Sequence, residues 1–190
     1  PWTTLNPVAE MMINTGGPYG RNDRGLWQGR GANGLIVGGG FYRNGFMDLV
    51  LAPEFTLSQN SSYRYRSPQA GDPEYGNYWG SIDKPQRFGS DPLVDLWPGN
   101  SSLTLHHWNT AVRVGTESLI LGPGRRNNIL LSNNAPGIPH LEIGTYTPWK
   151  TGLGELDWQL FWGRLSESEY FDQNASNDYR LLVGGVIGYR

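Results

Sequence analysis

The segment Gly154–Arg164 alternates between large apolar and polar side chains, and this alternation constrains the fold more than any other feature of the sequence. Successive side chains of a β-strand point to opposite sides, so an alternating segment has one apolar face and one polar face. The two predicted faces are Leu156, Trp158, Leu160 and Trp162 on one side, and Glu155, Asp157 and Gln159 on the other. The segment therefore predicts a strand with one wholly apolar face.

Two environments could cover such a face. One is the core of a soluble protein, where an antiparallel sheet packs one side inward. The other is membrane hydrocarbon, where a Lys or Arg at mid-bilayer on a barrel strand costs about 2–4 kcal/mol. Lipid would explain why no cation separates Leu156 from Trp162. A second alternating segment, Leu181–Tyr189, repeats the pattern and ends on an aromatic residue, as membrane strands do.

Composition favours a membrane β-barrel over a helical membrane protein. The 190 residues include 27 Gly, 13% aromatic residues and 17% charged residues, and the charged share lies below the roughly 25% of an average soluble domain. No stretch approaches the roughly 18–20 apolar residues that a membrane-spanning helix needs. A barrel strand needs no such stretch, because its lumen-facing positions are polar.

The rest of the chain also predicts strands. Asn44-Gly45 favours a two-residue type I′ turn and so predicts a hairpin. Residues 1–25 are expected to be irregular, with one helical turn at Val8–Met12, and residues 59–100 are expected to form a long loop or plug. The predicted strands are Leu35–Arg43, Phe46–Ala52, Leu103–Trp108, Ala111–Thr116, Ile129–Ser132, Leu141–Thr147, Gly154–Arg164 and Arg180–Arg190.

Residue content and spacing argue against several chemistries. The absence of cysteine removes disulfides, thiol catalysis and Cys-based zinc sites. Fifteen basic and seventeen acidic residues without a dense Lys/Arg run argue against nucleic acid as a partner. Gly29–Gly34 spells G-x-G-x-x-G, but the glycines Gly38–Gly40 follow where a dinucleotide site needs a helix. Adjacent His106 and His107 would point to opposite faces of a strand, so no metal or other cofactor is predicted.

Glu155 and Asp157 form the one carboxylate pair that suggests catalysis. Their Cα atoms would lie about 6.5–7 Å apart on one strand face, and paired carboxylates perform acid/base glycoside cleavage. The same spacing is common on polar strand faces, and in a barrel both carboxylates would face the lumen. A carbohydrate-active hydrolase that uses Glu155 and Asp157 is therefore kept as an alternative, beside a general diffusion porin.

Two polar turns hold the residues expected to contact a ligand. Asn supplies directional hydrogen bonds, and Arg forms paired hydrogen bonds with the carboxylates of acidic saccharides. The candidates for saccharide contact, or for a plug that shapes the lumen, are Arg125, Arg126, Asn127, Asn133, Asn134 and His140. Asn side chains in turns also bond their own backbone, so a structural role is the alternative for each.

Seven short pieces occur in a characteristic order. The most specific is Leu131–His140, with its Ser-Asn-Asn-Ala-Pro-Gly core, and the others are Leu26–Gly31, Ala52–Glu54, Ile82–Gly89, Pro98–Ser102, Leu121–Gly124 and Gly163–Leu165. Together they resemble the capsule-assembly outer-membrane protein family of Gram-negative bacteria, the Wzi-like proteins.

The resemblance implies an all-β fold, an antiparallel transmembrane β-barrel of about 18 strands in the bacterial outer membrane. It also implies a lectin-like protein that binds or anchors capsular or extracellular polysaccharide at the cell surface without catalysis. The implied partners are this polysaccharide and outer-membrane lipid. The chain opens on Pro1 and holds strands for less than half of such a barrel, so residues 1–190 are expected to be one incomplete barrel domain.

Overall fold

A computed structural model describes residues 2–20, 22–63, 87–89, 91–121, 128, 130–168 and 174–190. No helix among these residues is long and apolar enough to cross a membrane. The described residues form thirteen strands: β1 (Trp2–Thr4), β2 (Val8–Asn14), β3 (Gly31–Val37), β4 (Gly40–Asn44), β5 (Met47–Leu51), β6 (Glu54–Ser58), β7 (Leu93–Trp97), β8 (Ser102–His107), β9 (Thr110–Gly115), β10 (His140–Thr145), β11 (Trp149–Thr151), β12 (Gly154–Ser166) and β13 (Tyr179–Tyr189).

The strands form two antiparallel sheets that belong to one meander. The larger sheet has the order β1-β4-β5-β8-β9-β10-β12, with β11 and β13 also paired to β12, and the smaller has the order β2-β3-β6-β7. We call one passage of the chain from one end of the wall to the other a crossing. Four crossings pass through both sheets, because β1 continues into β2, β3 into β4, β5 into β6 and β7 into β8. Each crossing lies beside the previous one, and the described strands leave the outer edges of β1 and β13 unpaired. The predicted all-β antiparallel architecture is confirmed, as a barrel wall that is not closed.

Short turns and long connections lie at opposite ends of the meander. Two-residue turns join β4 to β5, β8 to β9 and β11 to β12, through Gly45-Phe46, Trp108-Asn109 and Gly152-Leu153. At the other end, the chain uses residues 15–30, 59–92, 116–139 and 167–178 to pass between crossings. We call these the short-turn end and the long-connection end. Outer-membrane barrels have this asymmetry.

Strand register divides the side chains between two faces of opposite character. One row across the larger sheet reads Leu49, Leu103, Val114, Leu141, Trp162 and Val183. The adjacent row, on the other side, reads Asp48, Thr104, Arg113, Glu142, Phe161 and Gly184. We call these sides the apolar face and the polar face. The smaller sheet continues the apolar face with the exposed side chains Met11, Ile13, Ile36, Phe55, Leu57, Val94 and Leu96.

Proline or glycine marks each point where a crossing passes from one sheet to the other. These points are Pro7, Gly38-Gly39, Pro53 and Pro98-Gly99. Proline cannot donate to a strand ladder, so pairing stops there. Gly39 and Gly99 have φ values of 149° and 62°, and a Cβ on either would collide with the carbonyl oxygen of Leu51 or Ala52. The breaks lie beside one another, since Leu5 donates to the Gly39 carbonyl and Ala52 forms a bridge with Gly99.

The best-buried side chains lie on the polar face, beneath the connection 15–30. Leu26 and Trp27 of this connection are buried, and Leu35 of β3 is completely buried. The Trp27 indole Nε1 donates to Asn60 Oδ1 at 3.0 Å, and its ring meets Phe88 edge-on at 5.0 Å between centroids. The described core therefore lies on the polar side of the wall, and the apolar face remains exposed.

The structure corrects several sequence-based predictions near the N-terminus. Residues 2–4 and 8–14 form strands β1 and β2, so the helical turn predicted at Val8–Met12 is wrong. Every residue of β2 pairs with β3, and this pairing outweighs local preference. The hairpin is confirmed, but its two-residue loop is Gly45-Phe46, and neither Asn44 nor Gly45 has the positive φ of a type I′ turn.

Other corrections concern the middle of the chain. Strands β6 and β7 were not predicted, and β7 lies within the segment 59–100 that was expected to be a loop or plug. Residues 64–86 and 90 of that segment lie outside the described residues. The strand expected at Ile129–Ser132 does not form at 130–132. Position 129 lies outside the described residues.

Candidate functional site

Arg113 is the centre of a charged network on the polar face. Its Nε donates to Thr104 Oγ1 at 3.0 Å, and its Nη1 lies 3.5 Å from Glu142 Oε1. Glu117 Oε1 lies 3.5 Å from the same Nε, and Gln159 Nε2 donates to Glu142 Oε2 at 2.8 Å. The antiparallel register creates the cluster, because Thr104, Arg113 and Glu142 are direct cross-strand neighbours. One cation therefore lies between two carboxylates in this network.

A second cluster lies on the polar face nearer the short-turn end. Asp48 accepts hydrogen bonds from Arg43 Nε at 3.0 Å and from the Tyr146 hydroxyl at 2.9 Å. The Tyr146 ring stacks on His106, with centroids 3.7 Å apart and an interplanar angle of 10°. Flat rings beside charged donors and acceptors are a combination that can hold a saccharide ring.

A buried carboxylate fixes the connection 15–30 against the smaller sheet. Glu54 is 2% exposed, and its Oε2 accepts from the backbone N–H of Gly25 at 3.0 Å. The Thr56 hydroxyl donates to the Gly25 carbonyl at 3.0 Å. Arg24, the residue before Gly25, forms a 2.6 Å ion pair with Glu10 of β2. These contacts fold the connection inward over the polar face.

The connections 15–30 and 116–139 are tied to each other by what we call the Asn clasp, formed by Asn22, Arg24, Asn133 and Asn134. The backbone N–H of Asn22 donates to Asn134 Oδ1 at 3.0 Å, and Asn133 Nδ2 donates to the Asn22 carbonyl at 3.3 Å. The backbone N–H of Arg24 donates to the Asn133 carbonyl at 2.9 Å. Asn22 and Arg24 both have left-handed φ values, 59° and 58°. Tertiary contacts hold this uncommon backbone.

The six residues expected to contact saccharide or form a plug have different surroundings. Arg125, Arg126 and Asn127 lie outside the described residues. Asn133 and Asn134 belong to the Asn clasp. His140 begins β10 on the polar face, and its side chain is completely buried. Its Nδ1 lies 2.7 Å from the Ile138 carbonyl, and its Nε2 lies 3.8 Å from Glu117 Oε2.

Glu155 and Asp157 begin the polar-face side of β12, as the alternation predicts. Glu155 Oε2 pairs with Arg190 Nε at 3.0 Å, and the two backbones also exchange hydrogen bonds at the short-turn end. Asp157 lies opposite Gly188, whose missing side chain leaves room for the carboxylate. The two residues are half-buried.

The residues predicted to face lipid share the apolar face of β12. Leu160 and Trp162 are 45% and 38% exposed, and Leu156 and Trp158 are half-buried beside Tyr189 and Ile187. No second layer of described residues covers this side, since Ile187 and Leu181 are 78% and 71% exposed. Exposed aromatic residues gather at the short-turn end: Trp2, Phe46, Trp108, Trp149 and Tyr189.

The described part of the chain contains no group of three or more His, Asp or Glu side chains that could hold a metal ion. Sequence reasoning missed Arg113, Glu142, Asp48 and Tyr146. The sequence does contain a signal for Arg113 and Glu142, because each charged residue lies between two β-branched or Leu residues in an alternating segment. Which cation would meet which carboxylate depended on strand order, which the alternation does not encode.

Comparisons with known proteins agree with this architecture. Neither the curated proteins nor the solved structures gave a match. Residues 45–182, well over half of the chain, match the family described as capsule assembly protein Wzi. This range runs from the first hairpin turn into β13, so it includes the Arg113 network, the second polar-face cluster apart from Arg43, and the Asn133-Asn134 part of the clasp. The chain therefore belongs to the Wzi family of capsule assembly proteins.

Proposed function

We propose that this chain is part of an outer-membrane β-barrel that binds capsular polysaccharide and anchors it at the cell surface. Membership of a capsule assembly family supports a role in capsule assembly. The observation that carries the membrane part of the proposal is the pairing of an exposed apolar face with a polar face on the other side of the same wall. A soluble protein would leave this large apolar area in contact with water, and that is unfavourable.

The dimensions of the apolar face support a bilayer. On β13 the exposed residues Leu181, Val183, Ile187 and Tyr189 lie within a stretch of nine residues, and a tilted transmembrane strand needs about 9–11 residues to cross the hydrocarbon. Exposed aromatic side chains at the short-turn end match the aromatic girdle at a membrane boundary. On this proposal Leu156, Trp158, Leu160 and Trp162 contact lipid, and Glu155 and Asp157 face the lumen.

The long-connection end supports the saccharide part. Long loops of outer-membrane barrels lie on the extracellular side, where capsule is located. Here two connections fold inward and bring Asn22, Arg24, Asn133 and Asn134 together over the polar face. Amides and guanidinium groups are suitable donors for sugar hydroxyls and for carboxylates of acidic saccharides. Arg125, Arg126 and Asn127 carry the same guanidinium and amide donors, and only the sequence makes them candidates for saccharide contact.

We propose no catalytic step. A glycosidase acid/base pair needs one carboxylate that gives up a proton and another that stabilises charge. Glu155 is instead held in an ion pair with Arg190, with 3.0 Å between Oε2 and Nε, at the end of a strand.

Polysaccharide retention in an encapsulated Gram-negative host that carries the full-length protein tests the proposal. The combined variant Arg125→Ala, Arg126→Ala should release polysaccharide into the medium while the surface amount of the protein stays unchanged. Arg190→Gln, which removes a cation at the opposite end, is the matched control and should retain capsule. Normal retention in the Arg125/Arg126 variant, together with no saccharide binding by the purified full-length protein, would overturn the proposal.

The same host distinguishes the alternatives. A hydrolase that uses Glu155 and Asp157 would produce shorter polysaccharide, and Glu155→Gln with Asp157→Asn would abolish that shortening. A general diffusion porin would conduct ions in planar bilayers without selective glycan binding. We expect the polysaccharide length to be unchanged and the protein to bind glycan selectively.

A further inference from the structure

The apolar face contains one charged residue among the strands that the structure describes. Strand register places Asp48, Arg113, Glu142, Lys150 and Glu155 on the polar face. Arg164 is the exception, because it follows Leu160 and Trp162 on the apolar side of β12 and pairs with Leu181 of β13. It is exposed, and it lies at the long-connection end of the apolar stripe.

The partners of Arg164 also differ from those of the other strand arginines. Arg43, Arg113 and Arg180 each pair with a carboxylate, at distances of 3.0, 3.5 and 2.6 Å. Within the described ranges Arg164 meets no carboxylate. Its Cζ lies instead 3.8 Å from the ring centroid of Tyr179, which is 61% exposed. The ring orients the guanidinium and leaves its N–H donors available in the plane.

We infer that Arg164 and Tyr179 form a binding site for the phosphate of a membrane lipid headgroup at the outer rim of the barrel wall. This inference rests on the proposed outer-membrane location. A cation on a lipid-facing strand is tolerated where the hydrocarbon ends, because it reaches anionic headgroups there. Guanidinium binds phosphate through two parallel charge-assisted hydrogen bonds. An exposed aromatic ring at the same level is the side chain that a membrane boundary favours.

Lipid binding by the full-length protein in detergent tests the inference, with diphosphorylated lipid A as the probe and native mass spectrometry as the measurement. Arg164→Gln should raise the apparent Kd for lipid A about tenfold, since one charge-assisted contact is lost. Arg164→Lys should restore part of the affinity. Arg180→Gln is the matched control: it lies on the same strand pair, on the polar face and in an ion pair with Glu167, so the Kd should not change.

Equal lipid A affinity for the wild type and Arg164→Gln would overturn the inference. Equal loss in Arg164→Gln and Arg180→Gln would also overturn it, because general charge would then be responsible. If Arg164→Gln loses affinity for acidic polysaccharide and keeps lipid A, the rim site belongs to saccharide and the lipid assignment is wrong. If the wild-type protein inserts into nanodiscs and retains polysaccharide, the proposed function stands whatever the lipid result. If it does not insert, both the proposed function and the lipid inference are wrong.

Discussion

The side-chain oxygen of Asn134 accepts a hydrogen bond from the backbone N–H of Asn22 at 3.0 Å, across 112 residues of sequence. This contact joins the connection that follows β2 to the one that precedes β10. The most specific motif of the sequence therefore has a structural role. Its Ser-Asn-Asn-Ala-Pro-Gly core supplies the side chains of Asn133 and Asn134 and the Asn133 carbonyl to the Asn clasp.

Asn134→Ala should loosen both connections. One neutral hydrogen bond contributes about 1 kcal/mol, so limited proteolysis of the full-length protein between residues 15–30 or 116–139 should become about fivefold faster. Asn44→Ala is the matched control, because Asn44 Oδ1 bonds only within its own turn to Gly45 at the other end of the wall. Equal cleavage rates for the wild type and Asn134→Ala would contradict the clasp.

Arg113→Gln should destabilise the barrel through its polar face. The substitution leaves Glu142 and Glu117, whose side chains are 12% and 20% exposed, without their cation. We expect a loss of about 1–3 kcal/mol in the free energy of unfolding, measured by urea titration of the full-length protein in detergent. Combining it with Glu142→Gln should recover part of the loss, since the unpaired charge is then removed. A double variant as unstable as the sum of the single variants would show that the two groups do not interact.

Gly184→Ala should strain the packing of β12 against β13. A Cβ on Gly184 would overlap the ring of Phe161, which is 3% exposed and cannot swing away easily. We expect a cost of about 1–3 kcal/mol, typical of overpacking, and a lower temperature for the heat-induced mobility shift of the full-length protein in gel electrophoresis. Gly152→Ala, with no atom near its added Cβ, should migrate like the wild type. Equal shifts for both variants would exclude the proposed overlap.

Ile187→Lys tests whether the apolar face meets lipid. Ile187 is 78% exposed, so in water a lysine there would be harmless. In hydrocarbon the same lysine should cost about 2–4 kcal/mol and reduce the fraction of full-length protein that folds into lipid vesicles. Ala175→Lys, in the exposed turn before β13, is the control and should fold normally. Equal folding yields would place the face in water.

Alternation predicted the sides of β12 and β13 correctly, because a period of two depends only on neighbouring residues. The same reasoning missed β2, β6 and β7. Val8–Asn14 holds two adjacent Met residues and no clear alternation, and Pro53 suggested the end of a strand. In the fold Pro53 only interrupts the pairing, since the chain resumes pairing with β3 and β7 one residue later. Whether a proline ends a strand or only interrupts it depends on the neighbouring strands.

The sequence by itself determined that this chain forms β-strands with one predominantly apolar side, and its short motifs indicated the family. These properties depend on residues close together in the sequence, so they can be predicted without knowing which strands pair. Only the tertiary structure decided that Arg113 lies between Thr104 and Glu142, that Asn134 reaches Asn22, and that Arg164 alone among the described strand charges lies on the apolar face. Those relations depend on strand order, register and the inward folding of two connections, because contacts between distant residues form only when the whole wall brings them together.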